Sequence, residues 1–357
     1  MLIHARAEKI MKYLPGTQVL ITDPAAINYL LEKRFYPGER FLGLLLREGK
    51  EPLLYLNELF PLNEDLGLRR ISFSDTDDII GLIAEQLDET QPLGVDKNMT
   101  ARFLLPMIDR QIVPSFFSGS LAVDRARAVK DESEIEKMRR ASAVNDEAMC
   151  IFKTLIHDGV SEKEVADQLL GIYQSLGASG YSFDPIVSFG RNCADPHHMP
   201  DDTVVQEGDA VLFDVGCVVD GYCSDMTRTF FYKKEPSAEQ VRVYNLVRQA
   251  NETAESVLKA GIPLCDIDKT ARDIIADGGF GPYFTHRLGH FIGTEVHEYG
   301  DVSAAFAQLT EPGNTFSIEP GIYDPQLLGC RIEDLVLITE EGHEVLNSYP
   351  HEIEIIG

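Results

Sequence analysis

Two strand-like runs in NTFSIEPGIYDPQLLGCRIEDLV (Asn314–Val336) each carry a glutamate, Glu319 and Glu333, among apolar neighbours. Alternation puts Thr315, Ser317 and Glu319 on one face of the first run and Phe316 and Ile318 on the other. If the apolar face packs into a core, a carboxylate beside it needs a partner, because unpaired buried charge is costly. Solvated acids on a surface hairpin are one answer; a metal ion is the other. The same question arises in AVLFDVGCVVDGYCSDMTRTFFY (Ala210–Tyr232). There Asp220-Gly221 predicts a two-residue type I′ turn between two β-rich runs. That turn sets Asp214 and Asp225 nearly opposite each other, with no Lys or Arg between them to relieve the repulsion. A divalent cation would relieve it; two unrelated aspartates on a solvated hairpin would need no relief. YFTHRLGHFIGTEVHEYG then places His286, His290 and His297 within twelve residues, among glycines that break any regular helix. Asp214, Asp225, His290, Glu319 and Glu333 together offer four carboxylates and one imidazole, a charge that two divalent cations balance. Oxygen-rich ligation with a single histidine suits Mn²⁺, Co²⁺, Fe²⁺ or Zn²⁺, and the lack of thiolates argues against a structural zinc.

The elements that must position these residues fall into two regimes. A chain of 357 residues exceeds one typical core, so two domains are expected, 1–125 and 126–357. The first alternates helical patterns with short apolar runs. Phe41–Leu46 and Pro52–Leu56 read as paired strands around REGKE, Ile79–Leu87 as a helix and PLGVD as a further strand, an α/β module. In the second, Asp131 with Glu134, Ser161 with Glu164 and Ser237 with Gln240 have capping-box spacing, predicting helices that begin at each. The second of these helices is expected to end near Gly177 and the third near Gly261. HDGVSEKEVADQLL from His157 also echoes KAGIPLCDIDKTARDII from Lys259, matching Gly159 to Gly261 and Val165 to Ile267, which suggests a domain built from related halves.

The formal charge is −26. Residues 1–125 hold 14 of the 32 basic and 18 of the 58 acidic residues, so −4 lies there and −22 in the remainder. Such an acidic second part repels phosphate backbones and argues against nucleic acid as a partner. No apolar run approaches a membrane span, and MLIHARAEKIMKYLPG lacks the continuous apolar region of a secretory signal. Cytoplasmic location is the expectation. Six cysteines with no CxxC pair read as reduced thiols.

LFDVGCVVDGYCSDMTRT, HRLGHFIGTEVHE, FSIEPGIY and RIED, in this order, resemble the metal-binding signatures of the pita-bread metallopeptidases, the family of prolidase, aminopeptidase P, methionine aminopeptidase and creatinase. The likeness covers residues 126–357. The upstream module, with TDPAAINYL, is similar to the creatinase/prolidase N-terminal domain, which favours the proline-specific branch. The fold so implied is α+β, a pita-bread domain preceded by a smaller α/β creatinase-type domain.

The resemblance also implies roles. Asp214 would chelate one metal, Asp225 and Glu333 would bridge both, and His290 and Glu319 would complete the second, with Mn²⁺ the foremost of the candidate ions. A hydroxide between the metals would attack the scissile carbonyl, and Glu319 would shuttle the proton. His197, in NCADPHHMP, matches the family's Pro-His position and would act with His297 on the oxyanion or the leaving nitrogen, with the adjacent His198 as the second choice. Phe183 and Val296 match pocket positions for the proline ring, although Phe183 also reads as a plain core residue. Arg331 shares a strand face with Glu333 and would bind substrate carboxylate, or else form a salt bridge within the acidic site. Phe291 in GHFIG replaces a small residue and is expected to narrow the pocket. The function implied is hydrolysis of Xaa-Pro bonds in proline-containing di- or oligopeptides by a homodimer, foremost as an Xaa-Pro dipeptidase. The alternatives are an aminopeptidase acting on longer peptides, a metal-free creatinase-like hydrolase, or a peptide-binding module.

Overall fold

A computed structural model describes residues 1–357. The chain divides into two compact units, Met1–Arg127 and Ala128–Gly357. In the first, a six-stranded sheet runs in the spatial order Arg69–Phe73, Leu53–Asn57, Leu42–Arg47, Gln18–Ile21, Leu93–Val95, Phe116–Ser118. Leu42–Arg47 and Leu53–Asn57 form the antiparallel pair expected around REGKE, with Leu44 opposite Leu54. Nearly every residue of the central strands is buried, because apolar clusters cover both faces of the sheet. The helix expected over Ile79–Leu87 closes at Ala84, and a tighter turn carries the chain on to Leu87.

In the second unit all three capping boxes form. Asp131, Ser161 and Ser237 each accept a hydrogen bond from the backbone N–H three residues on, and Glu134, Glu164 and Gln240 return it. The helices they start are Glu132–Phe152, Glu162–Ser175 and Ala238–Ser256. The last stops five residues short of Gly261. The chain leaves the helix there to bury Leu258 and to bond Lys259 and Gly261 to Thr310. A fourth helix, Leu264–Asp277, follows Pro263.

These helices pack on short sheets that carry the acidic motifs. Ile355–Ile356, Met226–Tyr232, Ala210–Val215 and Ile186–Phe189 form one sheet; Thr315–Ile318, Asp334–Ile338 and His343–Val345 form another. Phe316 and Ile318 enter the largest apolar cluster, as alternation predicts, which leaves Ser317 and Glu319 on the opposite face. No helix is long and apolar enough to cross a membrane.

Candidate metal centre

The hairpin fixes the first two acids. Asp220 and Gly221 both have positive φ, 49° and 84°, as a type I′ turn requires. The predicted register follows: Val219 pairs with Tyr222, Val218 with Cys223, Val215 with Met226 and Asp214 with Thr227. Asp214 therefore faces Thr227, two residues beyond Asp225. The second sheet joins at the same point, where Glu333 N–H donates to the Thr227 carbonyl at 3.1 Å. The Thr227 hydroxyl donates to Glu333 Oε2 at 2.6 Å and accepts from Arg331 Nε at 3.0 Å. Ser317 Oγ similarly ties His290 to Glu319, accepting from the His290 N–H at 3.0 Å and donating to Glu319 Oε1 at 3.2 Å. That closeness needs Gly289, whose added Cβ would lie 1.8 Å from the Ser317 carbonyl oxygen.

These side chains meet in a confined, acidic space. His290 Nε2 lies 3.6 Å from Asp225 Oδ2 and 3.5 Å from Glu319 Oε1. The donor atoms of Asp225, His290 and Glu333, all buried, lie within 4.8 Å of one another. Burial first, then the neighbouring carboxylates, push the Asp225 and Glu333 carboxyls well above the ordinary range. Burial also raises Glu319 to about 7 and lowers His290 to about 3, so the imidazole is neutral and free to coordinate. Asp214 Oδ1 and Asp225 Oδ1 are buried without any hydrogen-bond partner. Orphaned carboxylate oxygens beside a neutral imidazole, with no thiolate, make a donor set that fits divalent cations.

A cavity of about 530 Å³ opens onto this cluster and is lined by Phe183, His197, Asp214, Asp225, His290, Val296, His297, Glu319, Arg331 and Glu333, the residues given metal-binding, catalytic or substrate-binding roles above. The His290 and His297 rings meet edge to face at 4.3 Å, and burial lowers the pKa of His297 as well. Ile186, Pro196, His286 and Arg287 also line the cavity. Arg287 lies three residues before His290 and His286 four, so the motif itself pointed to them.

Three expectations change in detail. Arg331 is 2% exposed and commits all three nitrogens, to Thr227, to Tyr323 Oη at 2.7 Å and to Asp214 Oδ2 at 2.6 Å. Of the two readings of this residue, the geometry favours the internal salt bridge. Phe291 does not narrow the pocket. Next in extended sequence after His290, it faces the other way, packs tilted against the Phe316 ring with centroids 5.4 Å apart and sits in the core. Gly300 makes room, since a Cβ there would lie 2.4 Å from that ring. His198 is absent from the cavity lining; its Nε2 is 2.6 Å from Glu162 Oε2.

Comparison with known proteins agrees with this architecture. The profile of metallopeptidase family M24 matches residues 136–340, and that of the creatinase/prolidase N-terminal domain matches residues 4–129. The chain belongs to metallopeptidase family M24, with a pita-bread domain preceded by a creatinase-type α/β domain. An uncharacterised peptidase of Staphylococcus haemolyticus is 38% identical over 355 residues, 97% of this chain and 99% of that one. Among solved structures, the dipeptidase PepE from Mycobacterium ulcerans is 32% identical with a TM-score of 0.89, covering 99% of this chain and 96% of its own. An Xaa-Pro dipeptidase from Bacillus anthracis is 29% identical with a TM-score of 0.90 and 99% coverage of both chains.

Proposed function

We propose that this peptidase is a dinuclear metal-dependent exopeptidase that hydrolyses Xaa-Pro bonds, with dipeptides its main substrates. The observation that carries the reading is the cluster of four carboxylates, Asp225 and Glu333 buried and Asp214 and Glu319 nearly so, around one neutral imidazole lining the cavity. Charge counting favours two ions over one. With all four carboxylates ionised, as metal ligation requires, they and the Arg331 guanidinium leave the cluster at −3. One divalent cation leaves it anionic and repels a peptide carbonyl oxygen; two bring it to +1 and attract one. Asp214 would hold one ion, His290 and Glu319 the other, and Asp225 and Glu333 both; Mn²⁺, Co²⁺, Fe²⁺ and Zn²⁺ all suit the donors. When bound, the ions supply Lewis acidity toward water and the scissile carbonyl.

The remaining work falls to side chains. Glu319 lines the cavity beside His290, where it can take a proton from water and return it to the departing imino nitrogen. His197 and His297 face the cavity, and their ring N–H groups can donate to the developing oxyanion. Phe183, Ile186 and Val296 give an apolar wall for a proline ring. Among the lining cations Arg331 is spoken for, which leaves Arg287, a third exposed and paired with Asp301, to receive the carboxylate of a dipeptide.

The test uses chelator-stripped protein reloaded with each metal and assayed on Ala-Pro, Ala-Pro-amide, Ala-Pro-Ala and Ala-Ala. The expected result is about two ions per chain by elemental analysis, with cleavage of Ala-Pro and none of Ala-Ala. Ala-Pro is expected to be favoured over its amide by about tenfold or more, a preference lost in Arg287→Gln. Fewer than about one ion per chain, or no Xaa-Pro cleavage, overturns the metallopeptidase reading. Equal rates on Ala-Pro and Ala-Pro-Ala overturn the dipeptidase assignment without justifying the aminopeptidase one; faster cleavage of Ala-Pro-Ala favours an aminopeptidase.

A further inference from the structure

We infer that Glu162 and His198 form a positioning pair that aims His197 into the cavity, an inference that rests on the proposed role of His197. Glu162 is the first residue of the helix Glu162–Ser175 and is fully buried. A carboxylate there carries the cost of desolvation unless its oxygens are satisfied. Four donors satisfy them. Oε1 accepts from the Phe189 N–H at 2.7 Å and from Asn192 Nδ2 at 2.9 Å; Oε2 accepts from the Asp201 N–H at 3.1 Å and from His198 Nε2 at 2.6 Å. The glutamate therefore gathers the end of one sheet strand, the turn Gly190–Ala194 and the irregular segment after it onto a helix end, whose dipole also favours the negative charge.

That irregular segment carries His197. Its backbone is fastened at Asp195, which accepts from the N–H groups of His197 and His198, and again at Asp201. Between these points Pro196 and Pro200 have no N–H to donate, and Met199 is 61% exposed. The imidazole of His198 is the side-chain tether across the interval. With it turned inward onto Glu162, the neighbouring His197 lines the cavity.

A requirement of the fold does not explain the carboxylate. The second half of the unit repeats this helix as Leu264–Asp277, also 14 residues, and each helix follows a glycine at φ 83°, Gly159 and Gly261. The place of Glu162 is taken there by Leu264, buried to the same extent. The scaffold accepts an apolar residue at this position, and the acid stands where a cavity-lining histidine needs support. Glu162, His198 and Asp201 also have metal-ligand types close together, but the oxygens of Glu162 are already occupied by protein donors.

The test is a double-mutant cycle on the Mn²⁺-loaded enzyme with Ala-Pro, using His197→Ala, His198→Ala and both together. His198→Ala is expected to lower kcat about 10- to 100-fold with KM within about twofold, the scale of a misplaced catalytic group. The double variant is expected to be no slower than His197→Ala, and His198→Gln, which keeps a donor toward Glu162, to recover most of the loss. Losses that multiply in the double variant, or an unimpaired His198→Ala, overturn the inference. If His198→Ala does not fold, His198→Leu, which fills the space without the bond, takes its place. A second readout needs no turnover. In the metal-free protein, the ring Cε1–H resonance of His197 is expected to shift and broaden when His198 is replaced, and an unchanged resonance overturns the pair. If the wild type cleaves no Xaa-Pro peptide, the proposed function falls, while this resonance still decides the pairing.

Discussion

The second unit contains one piece of scaffold twice, and the two copies are put to different use. Gly159 and Gly261 open the copies with the same φ of 83°, and helices Glu162–Ser175 and Leu264–Asp277 follow, with Val165 and Ile267 buried at matching places. Each copy then holds one fully buried acid that reaches a histidine-bearing segment. In the first, Glu162 begins the helix and fastens the loop of His197. In the second, Asp268 lies a turn further along; it pairs with Arg272 and accepts from the Leu288 N–H at 3.2 Å, just before Gly289 and His290. The two helices are shared, while the buried acids that bond the segments differ in type and place. Repetition supplied the frame, and departures from repetition carry the chemistry. The two halves are then locked to each other at the centre, Arg331 of the second bonding Asp214 of the first and Arg228 of the first bonding Asp334 of the second.

The strongest way to break this comparison is to disable one half's contribution alone. Asp225→Asn keeps the hairpin's shape but removes a charge from the first half. The expected result is a loss of at least about 10³-fold in kcat/KM on Ala-Pro, the scale of removing a group that acts directly on the transition state. Metal is expected to raise the Tm of the wild type and not that of Asp225→Asn. Retained turnover would mean that the second half suffices by itself. Next in size is the lock between halves. Arg228 is 1% exposed and donates to Asp334 Oδ1 at 2.6 Å and to the carbonyls of Glu333, Tyr349 and Pro350. Arg228→Met leaves Asp334 buried without its main counter-charge, an expected cost of about 3–5 kcal/mol in denaturant unfolding. A change under about 1 kcal/mol would show that the Arg228–Asp334 pair contributes little to holding the halves together.

How much of this was legible in the sequence depended on how far apart the partners lie. The hairpin register was readable because Asp220-Gly221 sets it locally, and the three capping boxes because each spans four residues. Glu319 beside a buried Phe316 was readable from alternation. The same alternation, applied to His290, would have sent Phe291 into the core; weighing it by family position instead led to the expected narrowing of the pocket. Partnerships across long separations left no local trace. Glu162 meets His198 from 36 residues away, and Arg331 reaches Asp214 across 117. Nothing in RIED alone announces that the arginine's nitrogens are all taken. Gly289 marks one of the close approaches, but the Ser317 carbonyl it makes room for belongs to a distant strand.

A smaller effect sharpens the comparison at the ends of the long helices. The position matching Lys153 of the first half is Glu255 of the second. Lys153 pairs with Glu354 near the surface, whereas Glu255 is 8% exposed and its Oε1 has no partner. Burial, and then the charge of Asp334, push the Glu255 carboxyl up to about 8 from an ordinary 4.5. Between those values the unfolded chain has released a proton that the folded chain still holds, so stability falls as pH rises through this window and levels off above about 8. Glu255→Gln removes the titration while keeping the shape. It is expected to leave Tm unchanged below about pH 4.5 and to raise it increasingly toward pH 8, by at most a few kcal/mol in stability. A gain that does not vary with pH would mean that Glu255 is already charged in the folded protein, with Arg228 outweighing Asp334 in setting its state.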